Sequence, residues 1–282
     1  METQKTKNKL KGRLFNLAIV LLFISGAAVV LYPAVSDMWN SQWNNQMKSI
    51  YDKSVNLYSE ETLKDEWSKA KAYNAQHTIN TVKDAFDNDE YIKTHPYSDL
   101  LNPSKNGVMG YVEIPKIDEE IIIYHGTSSK SLERGAGHVE GTSLPIGGKG
   151  THAVIAAHRG IPGAKLFTDL DQLKKGDNFY LRILDKKLAY RVDQIKTVKP
   201  EELSDLQITE GKDFVTLLTC TPYGVNTHRL MVRGHRVPYT DHDGVRSPLL
   251  VFLNSWQFKL MVAAAVIIIA LIFMRKQKRR SN

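Results

Sequence analysis

The stretch Phe214-Val215-Thr216-Leu217-Leu218-Thr219-Cys220 has the composition of a buried β-strand and ends on the chain's one cysteine. Such β-branched, aromatic and leucine residues suit a strand that is packed on both faces or lies in a barrel wall. The following Thr221-Pro222-Tyr223-Gly224 predicts a turn, because proline cannot continue a ladder and glycine favours turns. A lone cysteine is usually an inert small hydrophobe, but at the end of a rigid strand it is also well placed as a nucleophile.

Seven more short strands are predicted around this one. Strict alternation of apolar and polar residues at 179–183 and 188–192 indicates strands with one buried face, and glycine-rich turns separate the segments. The eight predicted strands are 108–114, 121–124, 137–140, 151–158, 178–183, 187–198, 214–220 and 228–237. A short helical turn is expected at 164–173. Many short strands with little helix predict a mainly β fold, either a closed barrel or a sandwich.

The region 36–106 precedes the strands and is expected to be mostly helical. Aromatic and aliphatic residues recur every three or four positions, which marks one apolar helix face. They are Trp39, Trp43, Met47, Ile50, Tyr51, Val55 and Tyr58, followed by Leu63, Trp67, Ala70 and Tyr73. We interpret this stripe as a face that docks on the β domain. The stretch 81–105 has no clear period, so it is either a functional lid or a linker.

The charge distribution indicates a membrane protein rather than a nucleic-acid-binding one. Residues 1–13 carry +4 and residues 275–282 carry +5 of the total +8, so the rest of the chain is nearly neutral. These basic tails lie outside two apolar runs, 14–35 and 260–274. We predict a transmembrane helix at 14–35, rather than a cleaved signal peptide, and a second at 257–274. Because the basic residues lie on the outer sides of both runs, both termini are expected in the cytoplasm.

An extracytoplasmic domain with a single cysteine has no internal disulfide, which favours a thiol kept for its reactivity. A reactive thiol needs a base or a positive field. Among nine histidines, His158 is the candidate base because it ends its own predicted strand and is followed by Arg159-Gly160. Arg229, on the strand that returns after the turn, is the candidate cation, with Arg233 and Arg236 as rivals. The spacing of Cys220, His228 and His235 does not fit a zinc site.

Several motifs together resemble the sortases, the cysteine transpeptidases of Gram-positive cell surfaces. The segment 216–220, Thr-Leu-Leu-Thr-Cys, is similar to the sortase signature Thr-Leu-x-Thr-Cys. Further blocks resemble the pilus-associated class C group over about residues 107–237. These blocks are Gly141-Thr142-Ser143-Leu144-Pro145, Ala157-His158-Arg159-Gly160, Lys165-Leu166-Phe167-Thr168-Asp169-Leu170 and Cys220-Thr221-Pro222-Tyr223-Gly224-Val225-Asn226-Thr227-His228-Arg229-Leu230.

The resemblance implies an eight-stranded sortase-type β-barrel and assigns a role to each site residue. Cys220 would be the nucleophile, His158 the general acid/base, and Arg229 the residue that holds the oxyanion or the substrate. Such enzymes cleave an LPXTG-like sorting signal between Thr and Gly through a thioester. In class C the thioester passes to a lysine of the next pilin, giving an isopeptide bond. The implied partners are LPXTG-bearing pilins and a lysine-donating pilin, with no metal or organic cofactor.

One departure from the class C pattern concerns the lid. Members usually carry Asp-Pro followed by an aromatic residue, whereas the nearest match here is Asp84-Ala85-Phe86. As a lid, Phe86 would cover Cys220 and Asp84 would pair with an arginine. Alanine does not fix φ as proline does, so this lid is expected to open more readily. The alternative is a plain linker with a chance Asp-x-Phe.

The sequence therefore predicts seven consecutive segments, with a cytoplasmic tail at each end of the chain. They are the tail 1–13, a span 14–35, the helical region 36–106 with the lid, the catalytic barrel 107–240, a linker 241–256, a span 257–274 and the tail 275–282. Two alternatives to pilin polymerisation stay open. One is a sortase that anchors proteins to peptidoglycan precursor, and the other is a non-catalytic membrane-tethered binding module with an inert Cys220.

Overall fold

The computed structural model describes residues 2–76, 97–161 and 164–240, together with Phe258, 261–263 and 265. The chain divides into two compact units. One comprises Asn40–Ser247, and the other comprises Met1–Trp39 with Pro248–Asn282. The candidate site lies in the first of these units.

The unit Asn40–Ser247 contains a closed eight-stranded barrel, which confirms the mainly β prediction and selects the barrel over the sandwich. Around the barrel the strands follow the order β1-β2-β3-β4-β7-β8-β6-β5. Their bounds are β1 Val108–Ile114, β2 Glu119–His125, β3 Ala136–His138, β4 Thr151–Ala156, β5 Asn178–Ile183, β6 Lys186–Val198, β7 Asp213–Thr221 and β8 His228–Val237.

Two of the eight neighbouring pairs are parallel, β2 with β3 and β4 with β7. The β4/β7 register runs from Thr151 beside Asp213 to Ala156 beside Leu218. Strand β8 then pairs with β7 on its other side in antiparallel register. The strand that ends near Cys220 is therefore held on both edges, and all eight residues from Phe214 to Thr221 have a partner on β8.

The barrel interior is filled by large apolar side chains. The rings of Phe179 and Tyr190 stack at 5.7 Å between centroids. Gly234 of β8 leaves the room for them, since an added Cβ would lie 2.6 Å from the Phe179 ring. Close packing of this kind makes the barrel wall a rigid frame.

The described ranges contain three α-helices: α1 Glu2–Asn56, α2 Glu60–Gln76 and α3 Ser129–Arg134. Short 3₁₀ turns lie at Tyr97–Asp99, Pro115–Ile117, Leu170–Gln172 and Ser204–Leu206. The helical turn predicted at 164–173 is thus restricted to three residues. Helix α3 was not predicted from the sequence. It begins with the Ser128 hydroxyl accepting from the backbone N–H of Ser131, the usual role of an N-cap serine.

The predicted apolar stripe docks on the barrel through part of its length. Tyr51 is fully buried, its hydroxyl donating to Met109 O at 2.8 Å and accepting from Leu184 N at 2.7 Å. On α2, Trp67 Nε1 donates to Asp185 at 2.7 Å, and Ala70 and Tyr73 are also buried. Docking therefore extends across both helices, as expected.

Other members of the stripe are not buried, so this part of the prediction was wrong. Trp43 and Ile50 are each more than one third exposed, and Trp39 is 71% exposed. Trp43 instead lies 5.8 Å from the guanidinium of Arg134, a cation–π contact at the surface. A periodic stripe identifies a helix face, but the barrel covers only the portion of that face within its reach.

The two predicted membrane spans stay predictions. Residues 14–35 fall inside α1, whereas most of 257–274 lies outside the described residues. Within the described ranges, none of the helices combines the length and the apolar composition that a membrane crossing requires.

Candidate active site

Cys220 is the penultimate residue of β7 and is 7% exposed. The preceding residues 214–218 are buried in the barrel wall, where β7 lies between β4 and β8. This packing fixes the position of Cys220 at the end of β7. The residues that face Cys220 across these two strands are thereby fixed by register.

Arg229 on β8 is directly opposite Cys220. Residues that are directly opposite in an antiparallel pair point to the same side of the sheet, with Cβ atoms about 4.5–5.5 Å apart. Arg229 is only 6% exposed, and its Nη1 donates to Asn226 O at 3.2 Å and to His228 O at 3.3 Å. The backbone of the turn thus holds the guanidinium, and its charge is fixed beside the thiol.

His158 follows β4 by two residues, and continuation of the parallel β4/β7 register leads to a position beside Cys220. Ala157 N donates to Leu218 O at 3.1 Å, which extends the β4/β7 ladder past Ala156. The Thr219 hydroxyl donates to Ala157 O at 2.7 Å and ties the same strand ends a second time. His158 itself accepts from Phe167 N at 3.2 Å through its carbonyl oxygen. The sequence-predicted trio is therefore brought to one rim of the barrel.

The imidazole of His158 is biased toward its neutral form. Partial burial lowers the pKa of His158, because a charged ring loses hydration there. The carboxylate of Glu133 at the end of α3 opposes this effect and raises the pKa. A neutral imidazole near a thiol can accept its proton, and the resulting imidazolium can later return a proton to a leaving amine.

Within the ranges that the structure describes, three other histidines are buried and hydrogen-bonded within the fold. His138 accepts from the Tyr97 hydroxyl at 2.8 Å and donates to Ser143 O at 2.9 Å, and burial lowers its pKa to about 4. His152 lies between Gln207 O at 3.0 Å and the Thr216 hydroxyl at 2.8 Å, again with its pKa lowered by burial to about 4. His125 contacts the carbonyls of Gly107 and Leu100.

The rival arginines are engaged elsewhere. Arg233 forms an ion pair with Asp193, with Nε 3.0 Å from Oδ1. Arg236 lies 5.5 Å from the ring centroid of Tyr190. Neither faces Cys220 in the β7/β8 register. In addition, no cluster of three or more His, Cys, Asp or Glu side chains suited to a metal ion occurs within the described parts of the chain.

Sequence reasoning missed two further contacts between the two strand ends. Arg159 Nη1 donates to the Thr221 hydroxyl at 3.2 Å, and Nη2 pairs with Asp171. The ring of Tyr223 packs on Gly160, where an added Cβ would lie 2.8 Å away. The sequence contained one indication of these contacts. Arg159 directly follows His158, and Thr221 directly follows Cys220.

The lid residues Asp84 and Phe86 lie outside the described residues. The flanking elements are described on both sides. Asn74 at the end of α2 exchanges two hydrogen bonds with the backbone of Leu144, at 3.1 and 2.7 Å. Tyr97 packs against Tyr73 with ring centroids 6.1 Å apart. Both flanks are therefore anchored on the barrel unit.

The arrangement suits covalent acyl transfer. It joins a thiol that can attack a carbonyl, an imidazole that can move the proton, and a fixed guanidinium that can stabilise an oxyanion. The Sortase domain family model matches residues 112–237, which contain all three side chains. The crystal structure of Streptococcus pneumoniae Sortase C is 48% identical, with a TM-score of 0.66, and covers 70% of this chain and 98% of its own.

The chain belongs to the sortase family. Its members are cysteine transpeptidases, and so is this enzyme. Streptococcus agalactiae Sortase C1 is also similar, at 45% identity and a TM-score of 0.62, covering 67% of this chain and 93% of that one. Sortase A of Streptococcus agalactiae serotype III (strain NEM316) is 28% identical over 225 residues, or 77% of this chain and 83% of that one. The higher identities to Sortase C structures place this sortase in class C.

Proposed function

We propose that this class C sortase polymerises pilins. The observation that carries the proposal is the register that sets Arg229 opposite Cys220, and the β4/β7 ladder that runs on to Ala157, one residue before His158, supports it. Similarity to Streptococcus pneumoniae Sortase C supports the choice of substrate, because that structure was analysed for its pilin substrate specificity. Cys220 is the nucleophile, His158 the acid/base and Arg229 the oxyanion or substrate-positioning residue.

In the first half-reaction, the Cys220 sulfur attacks the threonine carbonyl carbon of an LPXTG-like signal. His158 accepts the thiol proton, and the guanidinium of Arg229 stabilises the negative charge that develops on the carbonyl oxygen. The Thr–Gly C–N bond then breaks. His158 returns the proton to the leaving glycine amine, and the acyl group remains on Cys220 as a thioester.

In the second half-reaction, a lysine Nζ of the next pilin attacks the thioester carbonyl. The new C–N bond is an isopeptide bond, and the C–S bond breaks. The proton lost by the amine passes through His158 to the departing sulfur, so Cys220 is regenerated as it began. No water is consumed and no redox step occurs, because one amide replaces another.

The proposal includes a location on the outer face of the cell membrane. The apolar runs 14–35 and 257–274, each flanked by basic residues on its outer side, support two spans with cytoplasmic termini. An enzyme tethered in this way meets membrane-attached pilin precursors at high effective concentration. The segment with Asp84 and Phe86 is proposed to act as a lid over Cys220.

The test uses the full-length chain in detergent with an LPXTG-type peptide and a lysine-bearing pilin fragment. Intact mass spectrometry follows the protein, and Cys220→Ala is the control. We expect a thioester adduct on Cys220 that converts into a peptide–lysine conjugate. Repeating the assay with Phe86→Ala separates a closed lid from an inactive site, and this variant is expected to form the adduct faster.

The outcomes separate the alternatives. An adduct that is resolved by peptidoglycan-like amines and not by the pilin lysine would show wall anchoring instead. Absence of an adduct in both the parent chain and Phe86→Ala would contradict the sortase mechanism for this peptide. Slow alkylation of Cys220 together with unchanged function in Cys220→Ala would favour the binding module.

A further inference from the structure

Four contacts join the segment after β4 to the end of β7. Two are those of Ala157, with Leu218 O and with the Thr219 hydroxyl. The third is the bond from Arg159 to the Thr221 hydroxyl, and the fourth is the packing of the Tyr223 ring on Gly160. The first pair lies before His158 and Cys220 in each segment, and the second pair lies after them. The two site residues are thus enclosed by contacts on both sides.

Arg159 is the member of this set with a charged side chain. Its side chain is 9% exposed, and its two terminal nitrogens point to different elements. Nη1 donates to Thr221 at 3.2 Å, while Nη2 pairs with Asp171 in the 3₁₀ turn Leu170–Gln172. The guanidinium therefore spans from the strand end beyond Cys220 to the loop beyond His158.

Part of this guanidinium is not satisfied. The Nε atom is buried and has no hydrogen-bond partner among the residues that the structure describes. Burying an unpaired donor costs stability, so the side chain is a poor choice for a purely structural role. Its placement one residue after His158 points to a role in the site.

We propose that Arg159 is a positioning residue that holds His158 in line with Cys220. This inference rests on the proposed function, since it assigns those two residues the proton transfer. The planar fork of arginine donates in two fixed directions at once, to Thr221 and to Asp171. A lysine has the same charge but no such fork, and it cannot keep both partners in the same geometry.

A purely electrostatic role is the rival explanation. A buried positive charge near a thiol favours the thiolate whatever its shape. Under that explanation Arg159→Lys would retain the reaction rate, and Thr221→Val would have no effect. If Arg159 acts by positioning, both substitutions slow the reaction, because each removes the hydrogen bond from Arg159 Nη1 to the Thr221 hydroxyl.

The experiment uses the full-length chain in detergent and measures two rates for each variant. The first is alkylation of Cys220 by iodoacetamide over a pH series, which needs no peptide. The second is acylation by the LPXTG-type peptide, separated into kcat and KM. The variants are Arg159→Lys, Arg159→Ala, Thr221→Val and the double variant Arg159→Ala/Thr221→Val, with melting temperatures measured for all.

We expect both Arg159 variants to lower kcat by about ten- to a hundredfold, because small displacements of reacting groups are costly, with little change in KM. The pH dependence of alkylation should shift, because the proposal has His158 accept the thiol proton and Arg159 hold the imidazole in line with Cys220. The double variant should be no slower than Arg159→Ala alone, as expected for two groups that share one bond.

If Arg159→Lys kept the kcat of the parent chain, the proposal would be overturned. Fully additive losses of kcat in the double variant would also overturn it. If Arg159→Ala does not fold, Thr221→Val still tests the bond, and a parental kcat for that variant would also overturn it. Failure of the proposed function looks different. In that case the parent chain would be alkylated normally but would form no peptide–lysine conjugate, and the alkylation data would still decide the role of Arg159.

Discussion

Arg229 of β8 lies directly opposite Cys220 of β7, and its guanidinium is held by the carbonyls of Asn226 and His228. The cation is thus fixed by the barrel register and by the turn that follows the nucleophile strand. A charge that is already in place costs no reorganisation when an oxyanion forms. This register is the reason why Arg229, rather than Arg233 or Arg236, is the arginine that we propose for the site.

Arg229→Ala should lower the acylation rate by about 10²- to 10³-fold, the usual cost of removing an oxyanion donor. Arg229→Lys should recover only part of the loss, since lysine lacks the planar fork whose remaining N–H groups can donate to the oxyanion. Stopped-flow or quenched mass spectrometry measures the single-turnover rate. Arg233→Lys, on the same strand but paired with Asp193, is the matched control and should stay close to parent. Equal rates for Arg229→Ala and the parent chain would remove Arg229 from the mechanism.

Glu133→Gln should lower the pKa of His158. The carboxylate of Glu133 raises the pKa of His158 in the folded protein, whereas burial lowers it. Without the carboxylate charge, the effect of burial dominates and the pKa falls. NMR titration of the imidazole in a Cys220→Ala background measures the change without coupling to the thiol. Glu60→Gln, at the start of α2, is the matched control and should leave the titration in place. A rise in the pKa of His158 would contradict the proposed sign.

Acidification should destabilise the fold through His138 and His152. Burial lowers the pKa of each from 6.5 to about 4, so between these values the unfolded chain binds more protons than the folded one. Stability is therefore full above about pH 6.5, falls as the pH drops toward 4, and loses roughly 1–3 kcal/mol per histidine. Urea unfolding over a pH series measures this slope.

His152→Asn provides the decisive comparison for that slope. The variant should be less stable at neutral pH but should lose stability less steeply on acidification, because the titrating ring is gone. Thr216→Val is the matched control, since it removes the same 2.8 Å hydrogen bond and leaves the ring in place. An unchanged slope in His152→Asn would show that His152 does not contribute to acid sensitivity.

Tyr51→Phe should destabilise the unit Asn40–Ser247 by about 1–3 kcal/mol, the cost of leaving buried partners unpaired. The hydroxyl joins Met109 O to Leu184 N, and its loss leaves that N–H buried without its acceptor. Tyr58→Phe, whose side chain is partly exposed after α1, is the control and should have a smaller effect. Equal unfolding free energies for Tyr51→Phe and the parent chain would mean that helix α1 contributes little through this bond.

The strands of the barrel were largely predictable because each is a local pattern. Three of the eight have the predicted bounds, Val108–Ile114, Asn178–Ile183 and His228–Val237. Other boundaries moved by one or two residues, as at β3, Ala136–His138, where pairing with neighbours sets the length. Helix α3 escaped prediction because six residues give too little periodicity. The exposed Trp43 shows the converse, since a helix face can be apolar beyond the surface that covers it.

The sequence by itself determined the strand segments, the turn after Cys220, and the identity of the thiol, the imidazole and the arginine as candidates. These follow from composition and local order, together with the resemblance to sortases. Only the tertiary structure decided which groups meet. The parallel pairing of β4 with β7 and the bond from Arg159 to Thr221 join residues about sixty positions apart. No local pattern encodes such contacts, because they arise when closure of the barrel brings distant strand ends to one rim.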